Sequence, residues 1–349
     1  MRHELFENDP IGENVNKYVL SNNSGMEVEL TNYGACITAI RVPDRRGKKI
    51  DVVLGYDSLL NYRSNAPGFG AYVGRNCNRI RDAWVEIDGV TYLLDVNNNG
   101  HNLHSGYNRS HYKVYDASEG RNRGGKFVEL RRVSPHLEQG FPGNLHQMIR
   151  YTLSDDNKLI IDYEMVSDKD TVINPTNHSY FNLNGHNSGS ICTQILEIFT
   201  DKYTPTNAEL IPTGEIASVI GTPLDFTKAK AIGKDILSDF EQIKIASGYD
   251  HNYVFPADGI LRLVAKLSST SSGIVMDVYT DCCGLHLYTG NFLNGERGKE
   301  NTVYERNAGV CFETQHFPNA CKTPNFPTSI VAANQVFRAR SIYQFAVRE

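Results

Sequence analysis

The chain has 349 residues, 40% hydrophobic and 21% charged, with a formal net charge of −5. This is ordinary globular composition with material for a large core, and an acidic balance without a basic block argues against nucleic acid as the main partner. No apolar run approaches membrane-spanning length, which excludes a helical membrane protein.

The first ten residues carry Glu4, Glu7 and Asp9 where a signal peptide needs an apolar stretch, so a cytoplasmic location is expected. Seven cysteines make an odd, scattered set in which Cys282 and Cys283 are adjacent. Free thiols in a reducing compartment fit that set better than a disulfide framework. No Cys-x-x-Cys pair occurs, which argues against structural zinc.

Helical periodicity is scarce. Short runs rich in Val, Ile, Tyr and Phe, punctuated by Gly, Asn, Asp and Pro, read as strands and turns. The first are residues 26–31, 36–42 and 51–54, with Pro43, Asp44 and Gly47 supplying turn chemistry between the last two. Residues 85–87 and 90–94 flank Asp88-Gly89, which predicts a hairpin with a two-residue turn. Further strands are expected at 127–133, 147–153, 159–166, 194–199, 261–267, 274–280, 285–288 and 337–347. In the third of these, Ile161, Tyr163 and Met165 alternate with Asp162 and Glu164, giving one buried and one wet face. Residues 231–245 are the one helix of note. More than ten strands, tight turns and no linker predict a single all-β domain over residues 1–349, a large antiparallel sandwich or barrel with few short helices. The Gly- and Asn-rich pieces 97–106 and 184–190 read as loops at a sheet edge.

Five places are dense in polar side chains. Residues 174–183 centre on Asn177, His178, Ser179 and Tyr180. On a strand, Thr176, His178 and Tyr180 share a face, with Asn177 and Phe181 opposite. That face either lines a cleft for a polyhydroxylated ligand or holds a satisfied core histidine. Residues 74–80 bring Arg75, Asn76, Asn78 and Arg79, whose arginines are surface, structural or phosphate-binding charges. Residues 97–106 hold His101 and His104, which with His178 and Glu313 could be drawn as a metal site, although no metal is expected. Asp250, in residues 248–253, is a turn residue or a ligand. Glu313 follows Val310, Cys311 and Phe312, so its carboxylate must be paired or functional. Together these side chains describe how a sugar is held. One His and one Glu suit proton transfer at opposite ends of a bond.

The motifs lie in an order that resembles the galactose mutarotase, or aldose 1-epimerase, family along nearly the whole chain. The matching pieces are residues 26–46, 51–56, 74–80, 102–106, 176–183, 248–254, 288–293 and 313–327. The most specific are Thr-Asn-His-Ser-Tyr-Phe-Asn-Leu from Thr176, and Glu313-Thr314-Gln315 followed by Pro324-Asn325-Phe326-Pro327. The resemblance implies an antiparallel β-supersandwich that interconverts the α and β anomers of free aldohexoses such as galactose and glucose. It implies no cofactor, a monosaccharide as partner, and a monomer or homodimer. Glu313 matches the family's general base and His178 its general acid, which should face each other across a gap one pyranose wide. His104 matches the histidine near the ring oxygen, while Asp250, Arg79 and the neighbouring Asn78 match sugar-binding positions.

Two departures stand out. Leu103-His104-Ser105-Gly106 replaces the family's Leu-His-Gly-Gly, which would disturb the loop if the lost glycine needed a positive φ. His286 occupies a sugar-contacting position where Gln or an aromatic is common, so it bears on the choice of epimer. Two other functions fit the same scaffold, a non-catalytic sugar-binding protein and a hexose-phosphate epimerase. Arg75 is the spare cation the second would use.

Overall fold

The structure is a computed structural model that describes residues 2–8 and 14–348. Met1, Asp9 and Pro10, part of the stretch read for a signal, lie outside the described residues. Three antiparallel sheets carry most of the chain. The longest has nine strands in the spatial order Asp116–Asn122, Gly125–Ser134, Leu145–Leu153, Lys158–Ser167, Phe337–Val347, Ile274–Thr280, Arg262–Ser268, Ile195–Ile198 and Lys230–Ala231. A six-stranded sheet runs Tyr180–Phe181, Val310–Gln315, Gly284–Tyr288, Asp250–Val254, Lys202–Thr204 and Ala217–Ser218. The third is a five-stranded meander from Arg2–Asn8 to Lys49–Asp51.

The nine- and six-stranded sheets share one core. Lys158–Ser167 buries Leu159, Ile161, Tyr163 and Met165 and keeps Asp162 and Glu164 on the wet face. There they meet Arg340 at 2.6 Å and Arg338 at 3.0 Å. From the six-stranded sheet come Val310, Phe312, Leu285 and Leu287. Tyr343 of the long sheet crosses the core, its ring centroid 4.8 Å from that of Phe181 and its hydroxyl donating to Phe312 O at 2.9 Å. Each such buried side chain contributes about 1.5–3 kcal/mol. That core fixes the six-stranded sheet, whose opposite face holds the site.

Residues 274–280 and 337–347 are strands at the expected bounds. Asp88 and Gly89 both take positive φ, as the predicted hairpin turn between Trp84–Ile87 and Val90–Leu93 requires. The helix expected at 231–245 is largely absent. Lys230–Ala231 pairs as a strand with Ile195 and Leu196, a single 3₁₀ turn follows, and the helix is confined to Glu241–Ala246. Gly233 packs so closely on Cys192 that a Cβ would lie 2.7 Å from the cysteine Cβ, so tertiary pairing overrides local propensity there. Residues 51–54 form a strand only to Asp51, and Val53 makes an isolated bridge to Phe181. Among the described residues, no helix is long and apolar enough to cross a membrane.

Candidate active site

The site begins with strand parity. Val310 and Phe312 point into the core, so Cys311, Glu313 and Gln315 point the other way. Directly paired residues share a face. The register sets Glu313 opposite His286, His286 opposite Asn252, Asp250 opposite Tyr288, and Cys311 between Tyr180 and Tyr288. One face of one sheet thus carries the floor.

Residues 174–183 change partners in mid-course. Thr176–His178 pairs with Ala71–Val73, whereas Tyr180–Phe181 joins Val310–Gln315. At the crossover Asn177 donates to Gly70 O at 2.9 Å and accepts from the Ser179 hydroxyl at 2.7 Å, so its amide is engaged internally. His178 lies over the floor and lines the cleft, stacked on Tyr180 with ring centroids 5.0 Å apart. Its Nε2 is 3.6 Å from Glu313 Oε1, and its Nδ1 is 3.5 Å from Cys311 Sγ. The expected gap one pyranose wide is therefore wrong. Glu313 is 2% exposed, and its Oε2 has no hydrogen-bond partner among the described residues.

Two loops form the rim. Asn97 accepts from Leu103 N–H at 2.7 Å and donates to Gly106 O at 3.0 Å, which folds residues 97–106 back on themselves. His104 Nδ1 accepts the Asn78 N–H at 3.2 Å, so the neutral ring carries its proton on Nε2. Burial, with the charges of His178, Arg109 and Arg79, holds His104 well below the usual histidine range. It is a neutral donor. Ser105 does take a positive φ of 69°, and its hydroxyl supplies the compensation, accepting from Asn76 N–H at 2.9 Å and donating to Asn76 O at 3.0 Å. Asn78 Oδ1 accepts the Arg79 N–H at 2.8 Å, and Arg79 Nε donates to Asn98 Oδ1 at 3.0 Å.

His286 Nε2 is 2.5 Å from Asp250 Oδ1. Burial pushes the Asp250 carboxyl up, but the His286 hydrogen bond and the charges of His286 and Arg79 outweigh it and leave it below the usual range. His286 Nδ1 is buried without a hydrogen-bond partner among the described residues. With the Nε2 proton given to Asp250, the Asn78 amide 3.3 Å away keeps its N–H groups for a ligand.

A cleft of about 380 Å³ is lined by Glu313, His178, His104, Asp250, Arg79, Asn78 and His286, which is every residue the sequence singled out for the site. Two others considered there lie elsewhere. The Arg75 guanidinium is buried and donates to the carbonyls of Ser134, Pro135, Pro142 and Gly143, so it holds the fold and is no phosphate cradle. His101 accepts from Asp82 N–H at 3.0 Å and sets Nε2 3.4 Å from Glu209, so it joins no His-His-His-Glu cluster. Tyr288, Arg109 and Cys311 were not singled out. Parity could have found two of them, since Tyr288 lies two residues beyond His286 and Cys311 two before Glu313. Arg109 carries no such signal.

A cleft with a buried carboxylate–imidazole pair on the polar face of an antiparallel β-supersandwich has the make-up of an acid–base enzyme's site. A family model described as aldose 1-epimerase matches residues 16–344. The galactose mutarotase of Bos taurus is 38% identical over 345 residues, covering 98% of each chain, and the aldose 1-epimerase of Escherichia coli is 32% identical over 96% of each. The crystal structure of galactose 1-epimerase from Lactobacillus acidophilus superposes with a TM-score of 0.87 at 28% identity, covering 100% of this chain and 99% of that one. The chain belongs to the aldose 1-epimerase family, isomerases that act on carbohydrates.

Proposed function

We propose that this protein interconverts the α and β anomers of free aldohexoses, galactose and glucose among them, with Glu313 as general base and His178 as general acid. The observation that carries the reading is the 3.6 Å approach of His178 Nε2 to Glu313 Oε1 on the cleft floor. Glu313 takes the proton of the anomeric hydroxyl while His178 gives one to the ring oxygen. The C1–ring-oxygen bond breaks, the aldehyde rotates about C1–C2, and closure reverses both transfers. Acid and base acting together avoid free hydronium or hydroxide near neutral pH. His104 Nε2–H, Arg79, Asn78 and the His286-held Asp250 supply donors and acceptors for the other hydroxyls.

Neither transfer moves electrons or hydride, so the chemistry calls for no cofactor. A sugar-binding protein without turnover has no use for acid and base at this separation. All seven candidate residues line one cleft of a single chain, which supports one catalytic domain that works as a monomer or homodimer. The free state of all seven cysteines supports a cytoplasmic setting. Polarimetry on freshly dissolved α-glucose and α-galactose tests the reading. A rate above the buffer blank is expected, and folded protein without one overturns it.

A further inference from the structure

We propose that Cys311 is a positioning residue for His178, its sulfur holding the ring by Nδ1 so that Nε2 faces Glu313 and the substrate. The inference rests on His178 acting as the general acid. Cys311 Sγ lies 3.5 Å from His178 Nδ1 and is the one hydrogen-bonding partner of that nitrogen among the described residues. The cysteine is fully buried, between Tyr180 and Tyr288 on the two neighbouring strands. The imidazole stacks on Tyr180 and meets Tyr288 edge-on at 6.2 Å. Stacking limits tilt but does not choose between the two ring flips about Cβ–Cγ, and the sulfur contact selects the one that points Nε2 outward.

Sulfur suits this task better than the carboxylate that often backs a catalytic histidine. A carboxylate on Nδ1 would stabilise the imidazolium and make it a poorer acid. Burial pushes the Cys311 thiol up, and the charges of Glu313 and Asp250 push it further, so it stays neutral. A neutral sulfur is a weak acceptor. It orients the ring while strengthening its hold on the proton far less than a carboxylate would. In ring opening, the Nε2 proton passes to the ring oxygen as its bond to C1 breaks, and Glu313 takes the hydroxyl proton as C1=O forms. The Nδ1 proton stays in place, donating to Sγ, and leaves Nε2 free to take its proton back on closure.

The other titratable groups facing this ring are Glu313, Tyr180, Tyr288 and His104, the last with its ring centroid 5.5 Å away. His111 is within electrostatic reach, and Arg109 lines the same cleft.

The test measures kcat, KM and the pH profile of mutarotation for Cys311→Ala and Cys311→Ser, with thermal melts to establish folding. Cys311→Ala should lower kcat about tenfold with little change in KM, because a freed ring misplaces the proton by a fraction of an ångström. Cys311→Ser should recover most of that loss. The alkaline limb, where His178 loses its proton, should move to lower pH in the alanine variant. It should move to higher pH in the serine variant, whose hydroxyl is the better acceptor for the imidazolium. An alanine variant with wild-type kcat and limb overturns the inference, as do serine and alanine variants that behave alike. In either event, an active wild type leaves the mutarotase reading standing, whereas an inactive wild type removes both. Should the alanine variant not fold, the limb of Cys311→Ser decides, and an unshifted limb counts against the proposal.

Discussion

Asp250 and His286 form the shortest polar contact on the cleft floor described above, 2.5 Å between Oδ1 and Nε2, with both side chains buried. Removing one member leaves the other uncompensated, so Asp250→Ala should lower the unfolding free energy by about 3 kcal/mol at neutral pH. The folded carboxyl titrates below its unfolded value, so its contribution is complete above the unfolded value of about 3.9. It is lost as pH falls through the folded value. Urea unfolding of both proteins should show the gap shrinking below that range, and a constant gap would contradict the pairing.

Under the proposed mechanism each of Glu313→Gln and His178→Asn removes one proton transfer, and each should slow mutarotation at least about a hundredfold. Polarimetry on wild type and variants is the measurement. Wild-type turnover in either variant would take that residue out of the mechanism. The wild-type rate should also survive excess chelator.

Acid should destabilise the fold through buried neutral histidines. Burial holds His251 down to about 4 and His111 down to about 3, and it holds His104 well below its ordinary value. Each takes up a proton more readily unfolded than folded. Stability is therefore complete above the unfolded value of about 6.5 and declines below it, by up to about 1.4 kcal/mol per pH unit for each group. Unfolding free energies across that window should fall, and His251→Gln should flatten the slope. An equal slope in wild type and variant would rule His251 out.

Ser105 offers a test of how one departure from the family pattern is accommodated. Ser105→Ala keeps the positive φ and loses the hydroxyl that satisfies Asn76 N–H, and should cost about 2 kcal/mol. Ser105→Gly loses the same hydrogen bond but relieves the backbone. The expected order of stability in chemical denaturation is Ser, then Gly, then Ala. A glycine variant more stable than the serine protein would show that the hydroxyl does not compensate.

Much of this architecture was legible because alternation is a local signal. Ile161, Tyr163 and Met165 announced a buried face, and Asp88-Gly89 announced a hairpin. Strands whose identity comes from their partners were not legible. Asp116–Asn122 has the composition of a loop and is a strand because Gly125–Ser134 pairs along its whole length, at an edge where charge and polarity discourage further pairing. In the site, the polar clusters pointed to the right residues, but the distance between Glu313 and His178 depends on how two separate strand pairings meet at Ser179. Arg75 stayed open between surface, structural and phosphate-binding readings for a related reason. Its partners are carbonyls some 60 residues onward, which no reading of its neighbours could supply.

Phe312 and Glu313 are consecutive, one turned inward and the other toward solvent's side of the same strand. A single peptide unit therefore serves as both interior wall and mount for the carboxylate. Trimming the phenyl ring would let that wall settle, and the carboxylate would shift with it. Turnover in this protein is accordingly a gauge of interior order. Variants selected for hardiness by refilling the space around Phe312 should reveal themselves first as altered catalysts, well before they differ in how they melt.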